Sequence, residues 1–216
     1  MTRLVCVENT TNKGGGACYD FAELEAIGVE CRTHGLRYHM DDARLWNALV
    51  KTGQDPKQYG ALFDTVSLCL SKGLGAPMGT VLIGTHDSMQ QAMRVRKVLG
   101  GGMRQVGYMA AAGLYGIQHQ LNRLEEDHQR AQEIADLLGK LSYISGVEPV
   151  ATNIVIFYLN GRLSEAEFMA WLADHQISIS SMGQGKLRVV THHDYADEQH
   201  EQFMTCLKDL DRKAQR

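Results

Sequence analysis

The sequence lacks the features that mark several large classes of protein. No apolar run approaches the roughly 20 residues that a membrane-spanning helix needs, and the opening residues MTRLVCVENTTNKGGG have no apolar core of the kind that a signal peptide carries. The formal charge of -3 provides no electrostatic basis for binding nucleic acid or an anionic membrane. These absences predict a cytoplasmic globular protein without nucleic-acid or membrane partners.

Cysteine occurs five times, an odd number, and no two cysteines form a C-x-x-C pair. The adjacent His192 and His193 would point to opposite faces of a strand, and the sequence shows no further ligand cluster around them. We therefore predict neither a disulfide framework nor a metal site. Proline is scarce, with three residues, and no proline-rich linker or internal repeat divides the chain.

What the sequence does contain is an alternation of short apolar runs with longer amphipathic segments. This pattern predicts an α/β fold in which helices cover a sheet. In the first part of the chain we predict strands at residues 4–8, 36–40, 66–70 and 80–83, and helices at residues 20–34, 43–52 and 86–97. Ligands gather at the carboxyl ends of strands in doubly wound sheets, so Asn9, Asp41 and Lys72 are predicted to face one crevice.

The second part of the chain has a different character. A long helical pattern at residues 105–138 is interrupted near Gly113 and Gly116. After it we predict strands at residues 154–159, 177–180 and 187–191, a helix at 164–175 with Ser164 and Glu167 in a capping box, and a closing helix at 194–213. We place the domain boundary near residues 141–150, which gives domains at residues 1–145 and 146–216.

Lys72 is the residue that most clearly indicates chemistry. It follows an alternating apolar run and precedes a glycine-rich turn, in the stretch DTVSLCLSKGLGAPMGTVLIG at residues 64–84. A lysine at the end of a buried strand has to pair with an anion or give up its charge, and a neutral amine attacks carbonyl groups. Lys72 is thus a Schiff-base candidate, although most lysines near glycine turns are solvated surface residues. A nucleotide P-loop is excluded because Lys72 precedes the glycines.

Two stretches carry a specific resemblance. The run SKGLGAPMGT around Lys72 and the run HMDDARLWNA around Asp41 are similar to motifs of low-specificity threonine aldolases, which depend on pyridoxal phosphate (PLP). The resemblance extends over essentially all 216 residues. It implies that Lys72 forms the Schiff base with PLP, that Asp41 keeps the pyridine nitrogen protonated, and that Arg44 lies beside the phenolic oxygen of the cofactor.

The stretch around Asp41 also has a simpler interpretation and one departure from the family. An aspartate that ends a strand can merely cap the following helix. Asp42 stands where the family commonly has glycine, and a side chain there adds negative charge near the ring and strain if the backbone needs a positive φ.

Cations elsewhere in the chain match further motifs of the same family. The segment VRKVLGGGMRQ contains Lys97 and Arg104, and the segment LRVVTH contains Arg188. The resemblance implies that Lys97 and Arg104 lie at the active site and reach the PLP phosphate in part across a subunit interface, with Arg104 also near the substrate. It implies that Arg188 clamps the substrate α-carboxylate. A homo-oligomer, dimer or tetramer, follows. Without the resemblance, these residues are a solvated basic loop and a surface arginine.

Thr11 occupies the position of the histidine in the family motif E-N-T-H-N. A threonine can orient a hydroxyl group or a water molecule, but it cannot act as a general base near neutral pH. The resemblance therefore implies a substrate-binding role for Thr11, and the general base is unassigned.

The resemblance implies a fold and a reaction. The fold is the C-terminal part of the large domain of a PLP-dependent transferase of fold type I, with a mostly parallel sheet, followed by a smaller C-terminal α/β domain. The reaction is the retro-aldol cleavage of L-threonine or L-allo-threonine, which are β-hydroxy-α-amino acids, into glycine and an aldehyde. A PLP lyase that catalyses β-elimination is the alternative enzyme.

The N-terminal segment usual in the family has no counterpart in the sequence. We therefore expect a sheet with an unpaired edge, weak binding of PLP by this chain alone and a tendency to aggregate. An inactive remnant, or a half that assembles with a separate N-terminal chain, is the further alternative.

Overall fold

The computed structural model describes residues 1–215, and Asp42 by its backbone alone. The chain divides into two compact units. The first unit comprises Met1–Thr11 and Cys18–Leu124, and the second comprises Asn12–Ala17 together with the chain from Glu125 onward. The short glycine-rich stretch after Thr11 therefore belongs to the second unit. The domain boundary at residues 145/146 stays a prediction.

The first unit is built on a four-stranded sheet in the order β1-β2-β3-β4. Its strands are β1 Leu4–Val7, β2 Arg37–Asp42, β3 Thr65–Cys69 and β4 Thr80–Gly84. The strands β1, β2 and β3 are parallel, and β4 runs antiparallel to β3. The predicted mostly parallel sheet is confirmed, and the carboxyl ends of three strands meet at one edge.

Five helices accompany this sheet: α1 Phe21–Thr33, α2 Leu45–Thr52, α3 Pro56–Leu62, α4 His86–Val98 and α5 Gly107–His119. Asp20 caps α1 by accepting a hydrogen bond of 2.9 Å from the backbone N–H of Ala22. Helix α3 was absent from the predicted elements. The local sequence nevertheless indicates this helix, because Asp55 caps it and Pro56 occupies its first turn.

The buried core of the first unit lies between the sheet and its helices. Leu24 and Met40 are fully buried, and Tyr38 stacks on Phe63 with ring centroids 4.1 Å apart. The other buried members of this cluster are Val7, Cys31, Leu45, Ala48, Tyr59, Val66 and Leu68.

The predicted interruption near Gly113 and Gly116 is wrong, because α5 runs through both glycines. The glycines allow close packing instead. A Cβ at Gly113 would lie 2.7 Å from Cδ1 of Leu70, and a Cβ at Gly116 would lie 2.9 Å from the carbonyl oxygen of Leu74. The helical pattern breaks at residues 120–123, after which α6 spans Leu124–Leu138.

The second unit contains an antiparallel sheet in the order β5-β6-β8-β7. Its strands are β5 Ile144–Val147, β6 Ile154–Leu159, β7 Ser180–Gly183 and β8 Lys186–Val190, and its other helices are α7 Glu165–Asp174 and α8 Asp197–Ala214. The capping box is confirmed: Ser164 accepts from the backbone N–H of Glu167 at 3.2 Å and donates its own backbone N–H to the Glu167 carboxylate at 2.9 Å.

The core of the second unit is larger than that of the first. Phe157 and Phe168 are fully buried, with ring centroids 5.9 Å apart. Around them pack Ala131, Ile134, Leu138, Tyr143, Val155, Leu172, Leu187, Phe203 and Leu207.

The predicted strand at residues 177–180 is wrong in position, because the strand β7 begins at Ser180. Ile177 and Ile179 are half-buried against the core of the second unit. The last β7–β8 pair is Ser180 with Arg188. The alternating apolar residues at 177–179 therefore belong to an extended segment that packs against the core but does not pair with the sheet. Among residues 1–215, no helix is both long and apolar enough to cross a bilayer.

Candidate active site

Lys72 lies in a turn directly after the central strand β3. The backbone N–H of Gly75 bonds to the carbonyl oxygen of Lys72 at 2.9 Å, and Gly75 has a φ of +67°. Leu70 and Leu74 anchor the turn because both are buried. Lys72 itself is exposed, so the argument that its place at the end of a buried strand forces it to pair with an anion or to give up its charge is wrong. Its amine is open to a ligand.

Asp41 lies on β2 at the same edge of the sheet. It is paired in register with Ser67 of β3, and the Ser67 hydroxyl donates a 3.3 Å hydrogen bond to the Asp41 carboxylate. The residue at the N-cap of α2 is Arg44, so Asp41 is a strand residue and does not cap that helix. Among the described residues, Asp41 and Lys72 form no ion pair. The side chain of Asp42 lies outside the described part of the chain.

The HMDDARLWNA stretch is tied to the strand that precedes Lys72. Trp46 on α2 donates its indole N–H to the carbonyl oxygen of Cys69, the last residue of β3, at 3.1 Å. Arg44, which is half-buried, immediately precedes α2. The tryptophan thus gives the motif a structural role that sequence reasoning missed.

The residues that follow β1 differ in whether their side chains have hydrogen-bond partners. Asn9 is fully buried, donates to the hydroxyl of Tyr59 at 3.3 Å and accepts from the backbone N–H of Tyr19 at 3.3 Å. The expectation that Asn9 faces an open crevice is therefore wrong. The hydroxyls of Thr10 and Thr11 are buried and have no hydrogen-bond partner among the described residues. A polar ligand would relieve that cost.

The two cations of the VRKVLGGGMRQ segment are exposed. Lys97 lies in the last turn of α4, and Arg104 lies in the turn before α5. The segment of three glycines folds back over the C-terminal end of α4, where the backbone N–H of Gly101 donates a 2.8 Å hydrogen bond to the carbonyl oxygen of Arg96. A Cβ at Gly102 would lie 2.7 Å from Cδ of Lys97. Among the side chains that the structure describes, neither cation has an ion-pair partner.

Arg188 belongs to the second unit, on the strand β8. Its Nη1 donates to the side-chain oxygen of Asn12 at 3.0 Å. Its Nε is buried and has no hydrogen-bond partner within the described chain. Arg188 also lines a cavity of about 390 Å3 together with His192 and Tyr195. Burial raises the pKa of Tyr195, so this phenol keeps its proton.

These residues match the chemistry that PLP requires. The cofactor needs an accessible amine for its aldehyde, a carboxylate for its ring nitrogen, and cations or backbone amides for its phosphate. Lys72, Asp41, Lys97 and Arg104 supply these groups. No cluster of three or more His, Cys, Asp or Glu side chains in the described residues could hold a metal ion.

Comparisons with known proteins agree with this chemistry. The family model described as Beta-eliminating lyase matches residues 1–162. Low-specificity L-threonine aldolase 1 of Arabidopsis thaliana is 35% identical over 210 residues, which are 96% of this chain and 59% of that protein. The chain thus spans less than two thirds of the length of this relative.

Two solved structures show the fold. Threonine aldolase of Leishmania major superposes with a TM-score of 0.78 at 22% identity, over 97% of this chain and 61% of that one. Histidinol-phosphate aminotransferase of Clostridium acetobutylicum gives 0.71 at 14% identity, over 97% and 64%. The fold is that of the PLP-dependent enzymes of fold type I, as predicted. By its match over three quarters of its length, the chain belongs to the beta-eliminating lyase family.

Proposed function

We propose that this chain carries the cofactor lysine and the substrate arginine of a PLP-dependent threonine aldolase, which cleaves L-threonine or L-allo-threonine into glycine and acetaldehyde. The observation that carries the proposal is the placement of Lys72 and Asp41 at the carboxyl ends of adjacent parallel strands, in a chain similar to an L-threonine aldolase over 96% of its length.

The first unit supplies the groups for the bond-breaking step. When bound, PLP supplies a protonated ring that takes up the electron pair released as the Cα–Cβ bond breaks. The Lys72 amine would hold the cofactor covalently through its aldehyde carbon, the position that the substrate amine would take in place of Lys72. The Asp41 carboxylate, which Ser67 orients, would hold the proton on the ring nitrogen. Lys97 and Arg104 neutralise the phosphate, with Arg104 also close to the substrate.

The remaining roles concern the substrate. Arg188 binds the α-carboxylate through its planar guanidinium, whose geometry matches a carboxylate better than an ammonium does. Thr11 hydrogen-bonds the β-hydroxyl group. Thr11 cannot remove the hydroxyl proton at neutral pH, so another group takes that proton.

Assembly and location complete the proposal. A homo-oligomer, either dimer or tetramer, brings Lys97 and Arg104 to a neighbouring active site. A cytoplasmic location is supported by the five cysteines, which are all unpaired, as is usual in a reducing compartment.

Borohydride reduction in the presence of PLP tests the cofactor role. We expect a pyridoxyl adduct on Lys72 and no label in Lys72→Ala, whereas Lys51→Ala, a change of an exposed lysine on α2, leaves the label in place. An adduct on a different lysine contradicts the proposal. Label that appears only after the unmatched part of an aldolase relative is added indicates a half-protein, and no label in either case indicates a remnant.

The description of the matched family favours one second candidate, β-elimination from an amino acid. The two reactions differ in their products. Incubation with L-threonine and PLP gives glycine and acetaldehyde from an aldolase, whereas β-elimination gives ammonia and a 2-oxoacid. Product analysis by mass spectrometry therefore decides between them.

A further inference from the structure

The side-chain oxygen of Asn12 accepts a 3.0 Å hydrogen bond from Nη1 of Arg188, although 176 positions separate the two residues in sequence. We propose that Asn12 is a positioning residue, which holds the Arg188 guanidinium ready for the α-carboxylate of an amino acid. This inference rests on the proposed function only for the identity of the ligand, a carboxylate.

The segment that carries Asn12 is anchored on the second unit, at the loop that leads into β6. The hydroxyl of Thr152 donates a buried 2.8 Å hydrogen bond to the carbonyl oxygen of Gly16. Gly16 has a φ of +75°, and a Cβ there would collide with Thr152 Oγ1. Gly15 has a φ of +70°, and its Cβ would lie 3.6 Å from Cδ1 of Ile156 on β6. Gly16 thus makes room for this close approach and Gly15 supplies the positive φ, and the segment lies against β6, next to the strand that holds Arg188.

Arg188 is fixed at its backbone by both neighbours of β8. It is paired with Ile156 of β6 on one side and with Ser180 of β7 on the other. The long side chain still has several rotatable bonds, and its buried Nε has no hydrogen-bond partner among the described residues. Among the described residues, the hydrogen bond to Asn12 is therefore the polar contact that orients the plane of the Arg188 guanidinium.

A neutral acceptor suits this role better than a charged one. An aspartate at position 12 would form an ion pair with Arg188 and compete with a bound carboxylate. The amide oxygen of Asn12 orients the guanidinium and leaves its positive charge for the ligand. The structure thus gives a chemical reason for asparagine at this position.

NMR spectroscopy of the chain labelled with [15N]arginine tests the proposal. The Nε–H of Arg188 is buried, so it exchanges slowly with water, and its signal is identified by its loss in Arg188→Lys. We expect L-threonine to shift this signal and L-threoninol, which lacks the carboxylate, to leave it unchanged. In Asn12→Ala we expect faster exchange and an affinity for L-threonine lower by about tenfold or more, as for loss of a hydrogen bond to a charged group.

Two further variants separate positioning from a general structural role. Asn12→Asp keeps an acceptor in place, so the Nε–H stays protected while the affinity for L-threonine falls. Asn160→Ala, a change of an exposed asparagine elsewhere in the second unit, alters neither quantity.

Three results overturn the proposal: unchanged exchange and affinity in Asn12→Ala, no shift by L-threonine in the unsubstituted chain, or an equal shift by L-threoninol. The borohydride experiment reports on Lys72 and does not involve Asn12. Either result can therefore fail while the other holds.

Discussion

The hydroxyl of Ser67 donates a 3.3 Å hydrogen bond to the carboxylate of Asp41 across the β2–β3 pair. The bond orients a carboxylate at the carboxyl edge of the parallel strands, the edge that the Lys72 turn follows. Both residues of this pair lie on regular strands, which hold side chains in place more firmly than loops do.

Replacing Asp41 by asparagine tests its charge while keeping its shape. Asparagine still accepts a hydrogen bond from Ser67, but it cannot stabilise a protonated ring nitrogen. On the proposed aldolase function, we expect kcat for acetaldehyde release at saturating PLP to fall by roughly 100-fold or more, the size of effect seen when a preorganised electrostatic contact is lost. Ser67→Ala, which removes only the orienting bond, should reduce kcat less. Full activity in Asp41→Asn would refute the assignment.

Gly116 on α5 lies against the backbone that supports Lys72. A Cβ there would lie 2.9 Å from the Leu74 carbonyl oxygen, and because this is backbone it cannot swing aside. We expect Gly116→Ala to lower the free energy of unfolding by about 1–3 kcal/mol, as overpacking does. Gly107→Ala on the same helix meets no atom within 4 Å and should be neutral or stabilise by up to about 1 kcal/mol. Urea unfolding measures both, and equal stabilities would contradict this packing.

We predict that the Glu148 carboxylate stabilises the second unit and that this stabilisation is lost in acid. Hydrogen bonds from the Tyr158 hydroxyl and then from the Lys186 ammonium hold the pKa of Glu148 below its ordinary value of 4.5. The folded state therefore binds this proton less readily than the unfolded state does. The stabilisation is fully present above pH 4.5 and is lost as the pH falls through the lower pKa of the folded state.

Glu148→Gln should consequently be less stable than the unsubstituted chain near neutral pH, and the difference should shrink as the solution is acidified below pH 4.5. Denaturant unfolding across this range measures it. Glu25→Gln, a change of an exposed glutamate on α1, is the control and should follow the unsubstituted chain at each pH. A constant difference at all pH values would count against the Glu148 network.

We predict that the isolated chain associates through its exposed strand β4. All five of its residues are exposed, and Leu82 at the centre keeps 41% of its surface open to solvent. Since exposed apolar edge strands template further pairing, we expect Leu82→Lys to lower the aggregated fraction measured by light scattering, with a change in unfolding free energy within about 0.5 kcal/mol. Val29→Lys on α1, where Val29 is 51% exposed, should leave aggregation unchanged. Equal effects of the two changes would rule out β4 as the site of association.

Local patterns predicted most of the secondary structure. The strand at residues 154–159 agrees with β6 end for end, and the capping box at Ser164 and Glu167 forms as expected. The turn after β3 also lies where SKGLGAPMGT places it. Each of these features depends on neighbours a few residues apart, so the information is present in the local sequence. By the same reasoning, Asp55 and Pro56 carry a local signal for α3.

The amino-acid sequence by itself thus determined the α/β class and the order of the main strands along the chain, and it is the source of the proposed site residues. Only the tertiary structure decided that Gly113 and Gly116 lie inside a helix, that Lys72 is exposed and Asn9 buried, and that Asn12 is hydrogen-bonded to Arg188. The reason is physical. Periodicity, caps and turns are set by bonds within a few residues, whereas burial and the pairing of Asn12 with Arg188 are set by which distant segments the folded chain packs together.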